Sequence, residues 1–259
     1  MFVFGAIIFD LGDTLVKVPW GVRHLEKRSG GEISRFESIL RVAHDSLMKS
    51  GVSTDWNSFY DKYMTVRAEQ LQWQKLTLRE YDMGERLSKT LNALGFRVSS
   101  DSALVKKALE DQYAVYINQV ELEEEVPLVL RDLRSRYRLG LVTNFAYTIS
   151  IYQILDRFDL RQFFDVIAVS REVGWVKPSP TIFQFALSSL KLRGSQCVFV
   201  GDDIEADIKG AKGVGMRTVH LSKEGSTCRD ADVTIHRIGE LPRVIRELEG
   251  VKNEFHQNS

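Results

Sequence analysis

Asp202, Asp203 and Asp207 place three carboxylates within six residues, directly after the apolar run that starts at Cys197. Carboxylates this close repel one another unless they are protonated, solvated or neutralised by a cation. A divalent cation is the economical solution, and all-oxygen ligation favours Mg²⁺ over zinc. A further carboxylate, Asp10, ends the apolar run Phe4–Phe9 and is followed by Leu11-Gly12-Asp13-Thr14. That run is too short for the face of a helix and reads as a buried parallel strand. A carboxylate at the carboxyl end of such a strand lies where open α/β sheets bind their ligands, so Asp10 is the candidate nucleophile. Thr143-Asn144 ends another strand-like run, and Lys177-Pro178 lies in the loop beyond a third.

Each of these residues also has an ordinary structural reading. A strand-end Asp forms turns or caps helices. Thr143 alone reads as a structural strand end, and Lys177 alone as a solvated loop lysine. Asp203 is placed to cap the helix that follows it, but capping needs one acid rather than three.

The elements that must position these groups follow from the hydrophobic pattern. Strands are expected at Phe4–Phe9, Leu139–Asn144, Asp165–Val169, Cys197–Asp202, Thr218–Leu221 and Val233–Ile235. Helical patterns alternate with them, among them one opened by Ser179-Pro180 as N-cap and first turn and one from Leu241 to about Leu248, followed by a polar tail from Val251. Strands alternating with helices imply right-handed crossovers and a parallel sheet, a Rossmann-like α/β core. Between the first two strands the pattern is helical. Phe36, Ile39, Leu40, Ala43 and Leu47 recur at helical spacing with Ser34 placed to cap, and Gly51 stops them. Further helices are marked by Phe59, Tyr63 and Val66, by Leu87, Leu91 and Leu94 before Gly95, and by Leu104, Val105, Ala108 and Leu109. The expected organisation is a core domain of 1–16 and 122–259, interrupted by a mainly helical domain of 17–121.

Bulk properties narrow the partners. A chain of 259 residues can bury a large core. Its formal charge of +0 offers no electrostatic case for nucleic acid or an anionic membrane surface. Cys197 and Cys228 form neither a metal nor a redox spacing, so a reducing compartment is expected. Met1–Phe9 lacks a basic segment and runs directly into Asp10, so neither a signal peptide nor a membrane span is read there. The expectation is a cytoplasmic protein. None of the five histidines shows ligand spacing.

Taken together, the four polar signals resemble the four motifs of the haloacid dehalogenase-like superfamily, in order and on the matching elements. Phe4–Leu15 is similar to the first motif, an apolar strand followed by Asp-x-Asp-x-Thr. Thr143 matches the second, Lys177 the third, and Asp202, Asp203 and Asp207 the acidic fourth. The helical segment lies where this superfamily carries a C1-type cap. The resemblance implies a Mg²⁺-dependent phosphatase acting on a small phosphorylated metabolite through an aspartyl-phosphate on Asp10. It assigns the metal to Asp10, the Gly12 carbonyl, and Asp202 or Asp203. It assigns phosphoryl oxygens to the Thr143 hydroxyl and the Asn144 backbone N–H, and stabilising charge to Lys177. Asp207 would orient the metal shell or Lys177 from behind.

One position departs from the pattern. The second Asp of the first motif falls on Gly12, and Asp13 follows one place late. Gly12 keeps the metal-binding carbonyl and loses the carboxyl, and general acid–base catalysis is worth about 10²–10⁴-fold. Three readings follow. Asp13 swings in as a displaced acid, helped by the backbone freedom of Gly12. The substrate has a good leaving group. Or the chain is a weak or inactive relative that binds a phosphorylated ligand in a regulatory role. A dehalogenase attacks carbon with the same Asp but works without metal, and the acidic cluster argues against it. A phosphomutase depends strongly on acid–base help at the position of Gly12.

The expected cap offers no substrate identity. Ser29-Gly30-Gly31 is read as a helix connector or a loop of the cap. Trp56, Tyr60, Trp73 and Tyr81 line a pocket or pack the cap, and Arg67, Lys75 and Arg79 meet a charged substrate or form a solvated face.

Overall fold

A computed structural model describes residues 4–18, 35–222, 225 and 227–255, the last five of these by backbone alone. Ser34 and Ser29–Gly31, read above as a cap and a connector, lie outside the described residues. The chain divides into two compact units, one of residues 1–17, 121–145 and 155–259, the other of 18–120 and 146–154.

The first unit is built on a six-stranded sheet. β1 (Ala6–Phe9), β4 (Arg138–Thr143), β5 (Val166–Val169), β6 (Cys197–Gly201), β7 (Arg217–Leu221) and β8 (Val233–Ile235) lie in the order β5-β4-β1-β6-β7-β8. Every pairing in it is parallel. β1 is central, with Phe9 level with Leu141 of β4 and Val200 of β6. The chain winds outward from β1 in both directions, which opens a crevice at the carboxyl ends of β1 and its neighbours.

Helices follow the strands as the pattern predicts. α5 (Val126–Arg134) precedes β4, and α6 (Thr148–Arg157) follows it. A short α7 (Ser170–Val173) continues β5 directly, and α8 (Pro180–Leu190) begins on Ser179, whose hydroxyl accepts from the Thr181 N–H. α9 (Gly210–Gly213) follows β6, and α10 (Leu241–Phe255) closes the unit. α10 runs past Leu248 because no proline or turn cluster interrupts it before Phe255.

Strand alternation sends Ala6 and Ile8 of β1 to the face covered by α8, where they join Val142, Phe183 and Phe199. The Phe183 and Phe199 rings meet edge to face at 5.3 Å. At the start of β1 the Glu249 carboxylate accepts from the Phe4 N–H (3.0 Å) and the Tyr137 hydroxyl (3.1 Å), so a buried acid of α10 anchors the strand.

Two short strands escaped the sequence pattern. β2 (Val16–Lys17) and β3 (Glu121–Leu122) pair antiparallel where the chain leaves the first unit and returns to it. Two residues are too few to display a period of two.

The second unit is helical: α1 (Arg35–Lys49), α2 (Trp56–Thr77), α3 (Met83–Ala93) and α4 (Ala103–Gln119), with α1 along α4 and α2 against α3. Asp55, Asp82 and Ser102 cap α2, α3 and α4 by accepting from N–H groups in their first turns. Gly51 and Gly95 follow α1 and α3 with φ of +92° and +91°, the left-handed conformation that ends a helix. Residues 146–154 join this unit, and the Tyr147 ring stacks on Tyr113 at 4.3 Å.

Of the aromatic residues weighed for a pocket, Trp56 packs on His44 and Tyr60, and Trp73 is exposed. Lys75 and Arg79 are exposed. Arg86 is buried in this unit; its Nε donates to Gln70 Oε1 at 2.7 Å and its guanidinium lies 4.3 Å from the centre of the Tyr81 ring.

Candidate active site

Asp10 follows β1 directly. Its backbone N–H donates to Val200 O (2.9 Å), so its position is set by the adjacent β6. Lys177, from the loop between α7 and α8, places Nζ 2.5 Å from Asp10 Oδ1 and 2.6 Å from Asp207 Oδ1. All three side chains are buried. Asp202, just beyond β6, completes the group: Asp10, Asp202 and Asp207 each bring one carboxylate oxygen within 4.8 Å of the others.

The chain between Asp202 and Asp207 explains how two carboxylates of one short segment converge. A π-helical turn covers Ile204–Lys209, in which Asp203 O accepts from both the Asp207 and Ile208 N–H groups. The wide turn folds Asp207 back over the end of β6, where its Oδ2 accepts from the Asp203 N–H at 3.1 Å. Gly201 makes room for it, since a Cβ there would stand 2.3 Å from Asp207 Oδ2. Asp203 plays a different part. Its Oδ1 accepts from the Glu205 and Ala206 N–H groups, both at 2.9 Å, as the cap of the turn.

Thr143 ends β4 and is buried. Asn144 turns its side chain toward the Lys177 backbone, accepting from the Lys177 N–H (2.7 Å) and donating to the Lys177 carbonyl (3.0 Å). The next residue is tied as well, because the Phe145 N–H donates to Ser170 Oγ at 2.8 Å. Gly12 and Asp13 form a turn closed by Leu15 N–H on Leu11 O (2.9 Å) and by Asp13 N–H on Val16 O (2.7 Å). Asp13 adopts the left-handed conformation, φ +56°, and its charge acts on Asp202.

The charges at this site do not cancel. Three carboxylates face one ammonium, an excess of two negative charges. Burial raises the pKa of Asp10, Lys177 opposes the rise, and Asp202 adds to it. Asp202 is pushed up to about 6, by burial first and then by Asp207 and Asp13. Asp207 is also pushed up to about 6 by burial, against the pull of Lys177. Burial would lower Lys177, but Asp10 and Asp207 outweigh it and hold the ammonium above its ordinary value. An oxygen-lined site with two surplus negative charges has the chemistry of a hard divalent cation site. Asp207 has one oxygen on Lys177 and the other on a backbone N–H, which leaves Asp10 and Asp202 with oxygens to offer.

A family profile described as haloacid dehalogenase-like hydrolase matches residues 4–215. The chain belongs to this family.

Among curated relatives of this hydrolase, a ribulose-1,5-bisphosphate 5-phosphatase of Halopiger xanaduensis is 28% identical over 253 residues, covering 93% of this chain and 98% of that one. A glyceraldehyde 3-phosphate phosphatase of Methanocaldococcus jannaschii is 33% identical over 249 residues, covering 93% and 97%. The fold matches a HAD phosphatase from Thermococcus onnurineus with a TM-score of 0.61 at 22% identity, over 93% of this chain and 97% of that one.

In this haloacid dehalogenase-like hydrolase the structure adds residues that sequence reasoning passed over. Ser170 holds the loop after β4. His220 on β7 places Nε2 3.1 Å from the Asp202 backbone O. Thr14 Oγ1 stands 3.5 Å from Asp202 Oδ1. Thr14 had a signal, its place in the first motif. Ser170 and His220 had none, because each acts through a contact with a distant loop.

Proposed function

We propose that this hydrolase is a Mg²⁺-dependent phosphatase that cleaves a small phosphorylated metabolite through a covalent phosphoryl group on Asp10. The phosphatases named above support the reaction type, a phosphoric monoester hydrolysis. The observation that carries the chemistry is the Lys177 ammonium held between Asp10 and Asp207 in a site that still bears surplus negative charge.

An Asp10 carboxylate oxygen attacks phosphorus, and the bond from phosphorus to the leaving oxygen breaks. The leaving oxygen takes a proton, for which Asp13 is the candidate donor in place of the carboxyl that Gly12 lacks. Water then attacks the acyl phosphate, the bond between phosphorus and Asp10 breaks, and inorganic phosphate leaves with Asp10 restored. The Thr143 hydroxyl and the Asn144 backbone N–H hold phosphoryl oxygens, and Lys177 opposes the charge of the group in transfer. Asp10, the Gly12 carbonyl and Asp202 would hold Mg²⁺, which supplies the positive charge that lets an anionic nucleophile approach an anionic substrate. Asp203 serves as the turn cap and Asp207 orients Lys177.

The reading is tested by release of inorganic phosphate from p-nitrophenyl phosphate, acetyl phosphate, glyceraldehyde 3-phosphate and ribulose 1,5-bisphosphate, with Mg²⁺ or with EDTA. Turnover that needs Mg²⁺ and disappears in Asp10→Asn is the expected result. Turnover that survives EDTA or Asp10→Asn would overturn it. Gly12 favours a second reading, a regulatory phospho-ligand-binding protein, and Mg²⁺ binding without turnover on any substrate would select it. No helix among the described residues is long and apolar enough to cross a membrane. With two free, buried cysteines we assign the chain to a reducing cytoplasm.

A further inference from the structure

Lys177 projects from a loop, and a loop does not by itself hold a long side chain to one position. Its ammonium is fixed at the tip by Asp10 and Asp207, so the remaining question is what fixes its root. Its backbone N–H and C=O are both taken by one side chain, the Asn144 amide, at 2.7 and 3.0 Å. An amide offers a donor and an acceptor side by side in a plane without carrying charge, matching the two backbone groups of a single residue. Asn144 and Lys177 are 33 residues apart and stand on loops after different strands, β4 and β5. The loop of Asn144 is itself fixed from the next residue, by Phe145 N–H on Ser170 Oγ (2.8 Å), and Ser170 begins α7 on the Lys177 side.

We infer that the Asn144 side chain is a positioning residue that clamps the Lys177 backbone and so sets the ammonium between Asp10 and Asp207. This rests on the phosphatase reading and goes beyond it. Asn144 then contributes twice: its backbone N–H faces the phosphoryl group, while its side chain is committed to Lys177 and does not contact substrate. The clamp also ties a phosphoryl-binding N–H to the charge that acts on the same phosphoryl group, so that the two move as one unit.

The test is a double-substitution cycle read by phosphate release, with backbone amide exchange as an independent readout. In Asn144→Ala, kcat falls about 10–100-fold, the usual cost of removing a residue that orients a catalytic group. KM changes by less than about threefold, because no substrate contact is lost. In a Lys177→Met background the same substitution costs less than about twofold, since residues acting through one another are not additive. Asn144→Asp keeps the acceptor for the Lys177 N–H but loses the donor to its carbonyl, so its kcat falls between wild type and Asn144→Ala. Exchange at the Lys177 amide accelerates in Asn144→Ala. An equal loss in the wild-type and Lys177→Met backgrounds, or a rise in KM alone, would make Asn144 a substrate ligand and overturn the inference. Unchanged exchange at the Lys177 amide would also overturn it. If the wild type releases no phosphate at all, the phosphatase reading fails, and amide exchange alone still decides whether the clamp exists.

Discussion

Lys177 Nζ lies 2.5 Å from Asp10 Oδ1, and both side chains are buried. The pair joins residues 167 positions apart. Burial pushes the Asp10 pKa up, and Lys177 is the largest influence opposing it. The ammonium thus limits the rise that burial imposes on the proposed nucleophile. Asp10→Asn removes the nucleophile and should lower kcat by about 10³-fold or more. Lys177→Met removes the counter-charge and should lower it by about 10²–10³-fold. Steady-state phosphate release checks both.

Metal binding should depend on pH in a stated direction. Asp202 and Asp207 have folded pKa values near 6, above the ordinary 3.8, chiefly because they are buried. Between those values the folded, metal-free protein binds protons that the unfolded chain has released. The destabilisation from these acids is therefore absent below 3.8 and complete above about 6. Mg²⁺ relieves it by neutralising the ionised carboxylates, and below about pH 6 it must displace protons to do so. The rise in Tm on adding Mg²⁺ should be larger at about pH 7.5 than at about pH 5, and EDTA should abolish it. Thermal melts across that range would show it, and an equal rise at both values would count against the site.

Gly201 is required by the backward fold of Asp207. In Gly201→Ala the new Cβ meets Asp207 Oδ2 at 2.3 Å. The strand and the carboxylate cannot both stay in place, so the substitution should cost about 1–3 kcal/mol of stability and detach Asp207 from Lys177. Urea unfolding and Mg²⁺ affinity would report the two effects separately.

Asp13 occupies the turn next to the position where Gly12 lacks a carboxyl. As the displaced acid, Asp13→Asn should lower kcat by about 10²-fold on alkyl phosphates and leave acetyl phosphate nearly unchanged, because a good leaving group needs no proton. Equal losses on both substrates would assign Asp13 to the turn alone.

In the helical unit, Gln70→Leu should cost about 1–3 kcal/mol by leaving the buried Arg86 Nε without its acceptor. Chemical denaturation would measure it.

The sheet strands were legible because each is a short apolar run ending on a polar residue, as at Phe9-Asp10 and Gly201-Asp202. The helices of the second unit were legible from the spacing of residues such as Ile39, Ala43 and Leu47. β2 and β3 were not, being shorter than any period they could show. α7 was hidden because it continues β5 without a break.

At the candidate site, residue types and order along the chain by themselves pointed to Asp10, Thr143, Lys177 and the acidic cluster, since each follows an apolar run that must be buried. Only the tertiary structure separated the acids from one another. Asp203 caps a turn, Asp207 pairs with Lys177, and Asp202 brings a carboxylate oxygen within 4.8 Å of Asp10 and Asp207. The division depends on a π-helical turn and on the space left by Gly201, neither of which has a local signature. Asn144, Ser170 and His220 likewise took their roles from contacts between loops far apart in sequence. Periodicity reports which face of an element is buried. Which group a side chain meets across that buried interface is decided by how the elements pack.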